Sequence, residues 1–419
     1  MIKFKDYTNK EIFLFASCLL MMLVFVLRDQ LITPFILLYF TASLSFMKGA
    51  KFKVGRSLAI TLVFFYALHF ISLLYSDNWG YAGADLMTKL SYLVFPLFIL
   101  FVRKGFELIM KGIRWGLIIG SFISMVFSFL RAFITEGGAL TGEAFNANFY
   151  GLNMHPSYLA LLFIIACALL WQEQLKWRGA LLLKVGYTGM VVLSMFYLRS
   201  LGAFVCVAAI MCAFPFWKAL KSRNWKWLLI LPLYAVIFAL GIASSAKIAN
   251  DVDTSLNRLS DWNESSEQFL LENKNNMESN TVRLVTWTLS ARIVGEHPFG
   301  VGIGDVKDEL EVSYRRYGYT FYAHHKFNPH NQFLQTGIAI GWLGIVVLLL
   351  FLILMLYYTF KANHLALFIA ALCLFVSCLF ESMLERQVGV ILTGILIMYI
   401  VFYLRSEQNK KLNPFSNED

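Results

Sequence analysis

Three short segments of this 419-residue chain carry side chains suited to taking a proton from a hydroxyl and stabilising phosphate charge. In Tyr197-Leu198-Arg199-Ser200, a guanidinium stands directly before a serine that can cap a helix. A helix N-terminus offers free N–H groups and the positive end of the helix dipole, and the arginine fork matches phosphate oxygens. In Asn328-Pro329-His330-Asn331-Gln332, a histidine sits at the start of an apolar run, beside a second helix N-terminus. An imidazole with a reference pKa of ~6.5 serves as a general base near neutral pH. Arg283 lies in a stretch where Val282, Val285, Leu289 and Ile293 fall at helical spacing, with Trp287 and Ser290 on its own side. Each signal also has a plainer reading: a snorkelling arginine, a capped helix start with an incidental histidine, and a solvated helix face.

Other chemistries fit less well. His324, His325 and His330 with Asp305 or Glu309 match no tight ligand spacing, so no metal and no other cofactor is expected. Asp251-Val252-Asp253 looks like the acidic pair of nucleotide-sugar enzymes, but it falls in the long polar loop, on the side of the membrane away from nucleotide-sugars. Gly300-x-Gly302-x-Gly304 has no preceding strand and no βαβ surround, so it is not a dinucleotide fingerprint. The six cysteines all lie in apolar runs without a CxxC pair, as small buried hydrophobes do.

The elements that must position these groups are membrane helices. Hydrophobic residues make up 58% of the chain and charged ones 15%, and the mean hydropathy is +0.64. Such a composition excludes disorder, coiled coil, collagen and a disulfide scaffold. Twelve apolar runs approach the length that crosses a ~30 Å hydrocarbon core. They are 11–27, 31–47, 57–75, 87–102, 114–133, 156–171, 180–198, 200–217, 227–246, 333–357, 364–380 and 388–404. The expected architecture is therefore an all-α polytopic membrane protein. It has nine spans in 1–246, a polar loop at 247–332, three spans in 333–404 and a tail at 405–419. No small-x-small cleavage site follows the first run, which predicts an uncleaved first span.

Charge sets the orientation. With the N-terminus inside, 22 of the 36 Lys and Arg fall in inside connections, and nine of the remaining 14 sit in the long loop. The formal net charge of +10 is then a positive-inside signal directed at anionic lipid, not at nucleic acid. The loop faces outward and holds four of the seven histidines. Its Ser/Asn/Glu-rich half, 255–280, is expected to be mobile, and 281–296 to form an amphipathic helix on the membrane surface. The spans are almost free of ionisable groups. Arg28, Asp77, Asp85, Lys89, Arg131, Arg199, Glu381, Glu385 and Arg386 gather at their outer ends. An ion-coupled transporter places such groups at the midplane and is built from paired repeats. Midplane polar groups are sparse here and no paired repeat is seen, and a scaffold would not need arginines and a histidine converging on two helix starts.

Taken together, the motifs resemble the bacterial O-antigen ligases and related polysaccharide polymerases. The resemblance rests on Tyr197-Leu198-Arg199-Ser200-Leu201-Gly202, on Arg283-x3-Trp287 with Pro298-x-Gly300-x-Gly302-x-Gly304, and on Pro329-His330-Asn331-x2-Leu334-Gln335. Ser72-Leu73-Leu74-Tyr75-Ser76-Asp77 and Pro96 are typical of the early spans, while Leu198 stands where family members commonly have Ser. The family implies a multi-pass protein of the bacterial inner membrane with its active site facing the periplasm. It implies an inverting, metal-independent glycosyltransferase that takes a glycan from undecaprenyl diphosphate. The acceptor is a sugar hydroxyl of the lipid A core in a ligase, or another lipid-linked glycan in a polymerase. Protein O-glycosylation and lipid-linked glycan transport are further alternatives. Carried over motif by motif, Arg199 and Arg283 hold the diphosphate, His330 activates the acceptor, and Trp287 and Asn331 contact substrate. For Glu381, Glu385 and Arg386 two readings stay open: substrate contacts or an ordinary surface ion pair.

Overall fold

Lipid offers the backbone no hydrogen-bond partners, so apolar runs of this kind must become helices. They do throughout the computed structural model, which describes residues 7–48, 53–135, 154–198, 201–243, 246–274 and 276–412. No strand occurs among the described residues. The first half contains α1 (Asn9–Leu27), α2 (Ile32–Ser43), α3 (Arg56–Ile71), α4 (Trp79–Lys89), α5 (Ser91–Phe101) and α6 (Phe106–Thr135). Next come α7 (Pro156–Gln172), α8 (Ala180–Leu198), α9 (Leu201–Ser222) and α10 (Leu231–Ala243). The polar loop folds as α11 (Ala246–Glu264), α12 (Ser266–Glu272), α13 (Ser279–Glu296), α14 (Val306–Arg316) and α15 (Thr320–His325). The chain ends with α16 (Gln332–Lys361), α17 (Leu365–Phe380) and α18 (Gln387–Leu412).

Eight helical segments among the described residues are long and apolar enough to cross a membrane. Three more apolar helices, Pro156–Gln172, Trp225–Gly241 and Leu365–Phe380, are shorter. The 31–47 run gives only the twelve-residue α2 and a 3-10 turn over Leu44–Phe46. Every expected run thus contains helix, but eight, not twelve, have the length and apolarity of a full span. The fourth run also starts earlier than expected. A single apolar segment covers Trp79–Phe101, so Asp85 and Lys89 lie within it and not beyond its end.

Alternate connections gather at opposite ends, as the charge pattern requires. At the basic end, Lys410 pairs with Glu107 at 3.1 Å, Arg114 with Glu173 at 2.8 Å, and Ser57 meets Tyr358 at 2.8 Å. The other end carries the 72–78 turn, the loop helices, and the turns at 328–331 and 381–386.

The loop is a packed helical cap, contrary to the expected mobility of 255–280. The Trp262 indole donates to Thr288 Oγ1 at 2.8 Å, Ser265 caps α12, and Phe269 and Leu270 are buried. Tyr319 and Tyr322, also buried, donate to the carbonyls of Leu270 and Asn276 at 2.5 and 2.7 Å. A short segment with so few apolar residues becomes ordered because neighbours far along the chain satisfy its backbone. Helix α13 corrects the expectation of a surface-lying amphipathic helix. Thr281, Thr286 and Ser290 are buried along with Val282, Leu284, Val285, Leu289, Ile293 and Val294, so protein covers most of its circumference. Arg283, Trp287, Thr288 and Arg292 stay half-buried, and Ser279, Ala291, Gly295 and Glu296 are exposed.

Helix α16 is broken. Ile340 (φ −134°) and Gly341 (φ +71°, ψ −166°) leave helical geometry. The following residues, 342–361, make about 30 Å of helix, enough to cross a bilayer alone. Residues 332–340 therefore form a separate arm, and the glycine turn fills the elbow. Val301 N donates to Ile338 O at 2.8 Å, Gly302 N to Ala339 O at 3.1 Å, and Trp342 N to Pro298 O at 3.0 Å. A Cβ on Gly341 would lie 2.3 Å from Pro298 O, and one on Gly302 (φ +96°) would lie 2.3 Å from Ser76 Oγ. Both positions exclude any larger residue on backbone angle and space alike.

Candidate functional site

The Ser72–Asp77 and Pro298–Gly304 motifs dock on each other. Ser72 and Ser76 hydroxyls accept the amides of Ile303 and Gly304 at 3.3 and 3.2 Å. Tyr75 Oη donates to Phe299 O at 3.1 Å. The Asp305 carboxylate accepts the amides of Asp77 and Asn78 at 2.8 and 2.9 Å. Their joint product is a fixed platform under the 332–340 arm. Asp305 is thereby engaged with backbone amides, and His325 turns its Nδ1 to Phe321 O at 3.0 Å. Among the described residues no group of three His, Cys, Asp or Glu side chains could hold a metal ion.

His330 sits at the tip of the arm. Its backbone is left-handed (φ +48°), an uncommon conformation for a non-glycine residue that costs on the order of 1 kcal/mol. Local bonds hold it there. His330 N donates to Asn328 Oδ1 at 2.9 Å. Helix α13 grips the same turn, with Thr286 Oγ1 donating to Pro329 O at 3.3 Å and Trp287 Nε1 to His330 O at 3.4 Å. Asn331 caps α16, its Oδ1 accepting from Phe333 N and Leu334 N at 2.9 and 3.1 Å. Its Nδ2 donates to Leu379 O at 3.0 Å. Both ends of the Asn331 amide thus bond to the protein, and Trp287 is the clamp on the histidine turn, packed 6.1 Å from the Phe380 ring.

The centre of the site is Glu381. One carboxylate oxygen accepts from Arg283 at 3.1 Å, and the other lies 3.1 Å from His330 Nδ1. Ser279 anchors Arg283 from the other side, its Oγ 2.6 Å from NH1. An ionised carboxylate can only accept, so Nδ1 carries a proton, and in the neutral imidazole Nε2 is then the acceptor. This is the relation of a base to the group that orients it. The exposed fractions of the side chains, 27% for His330, 18% for Arg283 and 17% for Glu381, leave the base reachable and its partners largely dry. Burial works against ionising Glu381. The His330 hydrogen bond and the charges of His330, Arg283 and His155 outweigh it and hold the carboxyl down at about 2.

Four helices begin around this cluster. Arm 332–340 starts beside His330, α18 after Arg386, and α7 at His155, which caps it by accepting from Ser157 N. Burial holds His155 below the usual imidazole range. Glu381 pulls it up, while Arg386, His330 and Arg283 push it further down, so all four charges face it. The fourth helix is α9. Its Gly202 and Ala203 line a narrow pocket with Ser157, Leu161, Cys206, Ser377 and Glu381. Arg199 itself lies outside the described residues; the helix that follows it opens on the pocket that Glu381 lines.

The expected residues Arg283, Trp287, His330 and Asn331 therefore come together. Glu381 is the residue whose role sequence reasoning left undecided, and His155 went unread. An acidic residue directly after the very apolar α17 was the available signal for Glu381. Nothing marked His155, because its partners come from three distant segments.

Residues 186–349 match the family model described as O-Antigen ligase. No curated protein sequence matches the chain. The matched stretch contains Arg199, Arg283, Trp287, His330 and Asn331, whereas Glu381 and His155 lie beyond it. This chain is a polytopic membrane protein whose residues 186–349 are similar to the O-antigen ligase family.

Proposed function

We propose that the protein transfers a glycan from undecaprenyl diphosphate to a sugar hydroxyl of the lipid A core, at the periplasmic face of the bacterial inner membrane. The observation that carries this reading is the Glu381 carboxylate shared by His330 and Arg283. It couples a poised base to a guanidinium, the two functions an activated diphosphate donor needs. His330 Nε2 takes the acceptor hydroxyl proton as the oxygen bonds to the anomeric carbon. The bond from that carbon to the diphosphate breaks, and its electron pair leaves on the phosphate oxygen. Arg283, Arg199 and the surrounding helix N-termini stabilise the charge that develops there. A single displacement inverts the anomeric centre and requires no covalent enzyme intermediate. The apolar wall of the pocket, Ala160, Leu161 and Ile164, suits the first units of the polyprenyl tail.

The positive-inside distribution supports the periplasmic orientation, since the basic end of the bundle then faces the cytoplasm. Polymerisation onto a second lipid-linked glycan uses the same donor chemistry and is the alternative reading. A glycolipid profile of cells lacking the protein separates the two. Long chains stranded on the polyprenyl carrier beside bare lipid A core mean ligation. Single repeat units on the core mean polymerisation. An unchanged profile overturns both.

A further inference from the structure

Four residues beyond Glu381 in the same turn, a second charge cluster is buried. Glu385 Oε2 accepts from Lys89 Nζ at 2.9 Å, and Lys89 donates to both Asp85 oxygens at 2.6 and 2.8 Å. Glu385 Oε1 accepts from Gln332 Nε2 at 3.0 Å, and Gln332 Oε1 accepts Leu384 N at 2.6 Å. Gln332 is fully buried and is the first residue of the arm whose tip is His330. One carboxamide therefore ties the arm to the 381–386 turn through a backbone amide and a side chain. Tyr158 closes the turn from the other side, donating to Met383 O at 3.0 Å.

We propose that Gln332, Glu385 and Lys89 are positioning residues that fix Glu381 against His330. The inference rests on the function proposed above only for its kinetic readout. The geometry behind it is economical. His330 and Gln332 are two residues apart on one side, and Glu381 and Glu385 four residues apart on the other. A hydrogen-bonded pair at each position locks the two segments in register. Lys89 and Asp85 bring α4 into the same lock, so the dyad is referenced to the membrane helices as well as to the cap. A misplacement of about 1 Å at such a site can cost 100-fold in rate.

The test uses the full-length protein in detergent with isotope-labelled histidine. The His330 imidazole nitrogen signals are identified by their loss in His330→Gln. Glu381→Gln defines the signature of a dyad that has lost its carboxylate. Gln332→Met, which keeps side-chain size, is expected to move the His330 signals toward that signature, and Glu385→Gln to do so in part. Kinetics with an undecaprenyl-diphosphate-linked glycan and lipid A core acceptor give the second readout. There Gln332→Met should lower kcat about 10- to 100-fold, with KM for the donor changed less than about threefold. The double variant Gln332→Met/Glu381→Gln should be no worse than Glu381→Gln alone. Unchanged His330 signals in Gln332→Met, or losses that multiply in the double variant, overturn the proposal. If Gln332→Met does not fold, Glu385→Gln decides by the same criteria. A protein that shows the expected signals but transfers no glycan would overturn the proposed function and leave the positioning intact.

Discussion

Glu381 and Glu385 sit four residues apart in one turn, each holding a cation, with exposed fractions of 17% and 16%. Their partners differ. Glu381 faces His330 and Arg283, which are 27% and 18% exposed. Glu385 faces Lys89 and, through it, Asp85, at 1% and 8%. The first cluster keeps a free imidazole nitrogen at the surface of the protein, while the second has no group left to offer. Under the proposed function, similar carboxylates serve chemistry in one case and architecture in the other, and the burial of the partner separates them. Burial opposes ionisation of both, and the cations outweigh it in both, which keeps each carboxyl below its usual range.

The comparison breaks most sharply at His330. His330→Ala should lower transfer by roughly 10²–10⁴-fold while leaving thermal stability nearly unchanged, as measured with purified protein. Lys89→Met should act first on stability. It leaves two buried carboxylates unpaired and should cost about 3–5 kcal/mol of stability, read as a loss of folded protein in a detergent melt. Replacing Asp85, Lys89 and Glu385 together by apolar residues of similar volume should recover most of that stability. If the triple variant melts as low as Lys89→Met, the cluster does more than balance charge.

Gly341→Ala tests the elbow, where backbone angle and a 2.3 Å approach to Pro298 O both oppose a Cβ. A cost of about 1–3 kcal/mol is expected. Glu381 also predicts an acid dependence. Its carboxyl titrates at about 2 in the folded protein, against about 4.3 for a free glutamate. The stability it contributes is fully present above pH ~5 and is lost as pH falls toward 2. It amounts to on the order of 2 kcal/mol, shared with Arg283 and His330. Glu381→Gln should flatten melting temperature across that window. The smallest effect belongs to Trp287→Phe, which removes one 3.4 Å bond to His330 O and should cost about 0.5–1.5 kcal/mol or less.

The comparison also marks where sequence reasoning ends. The spacing of Val282, Val285, Leu289 and Ile293 identified α13, and Arg283 and His330 stood out as chemistry on residue type alone. Asp85 and Lys89 were legible as charges but not as a buried pair, because their neutraliser, Glu385, is 296 residues from Lys89. Helix lengths were less legible than helix positions for a related reason. Composition shows that a run is apolar, but it does not show where Gly341 breaks a helix or where packing lets a charged residue stay inside one.

The sequence by itself determined that the chain is helical and membrane-spanning, which end of the bundle carries the basic residues, and which side chains are reactive by type. Those follow from hydropathy, charge and intrinsic reactivity, which are properties of single residues and short windows. Only the tertiary structure decided that Glu381 joins His330 to Arg283, that Asn331 and Trp287 brace the histidine turn, and that the glycine motif is an elbow filler docked on Ser72–Asp77. Each of these depends on segments tens to hundreds of residues apart meeting within hydrogen-bond distance. Packing fixes such distances, and no local pattern encodes them.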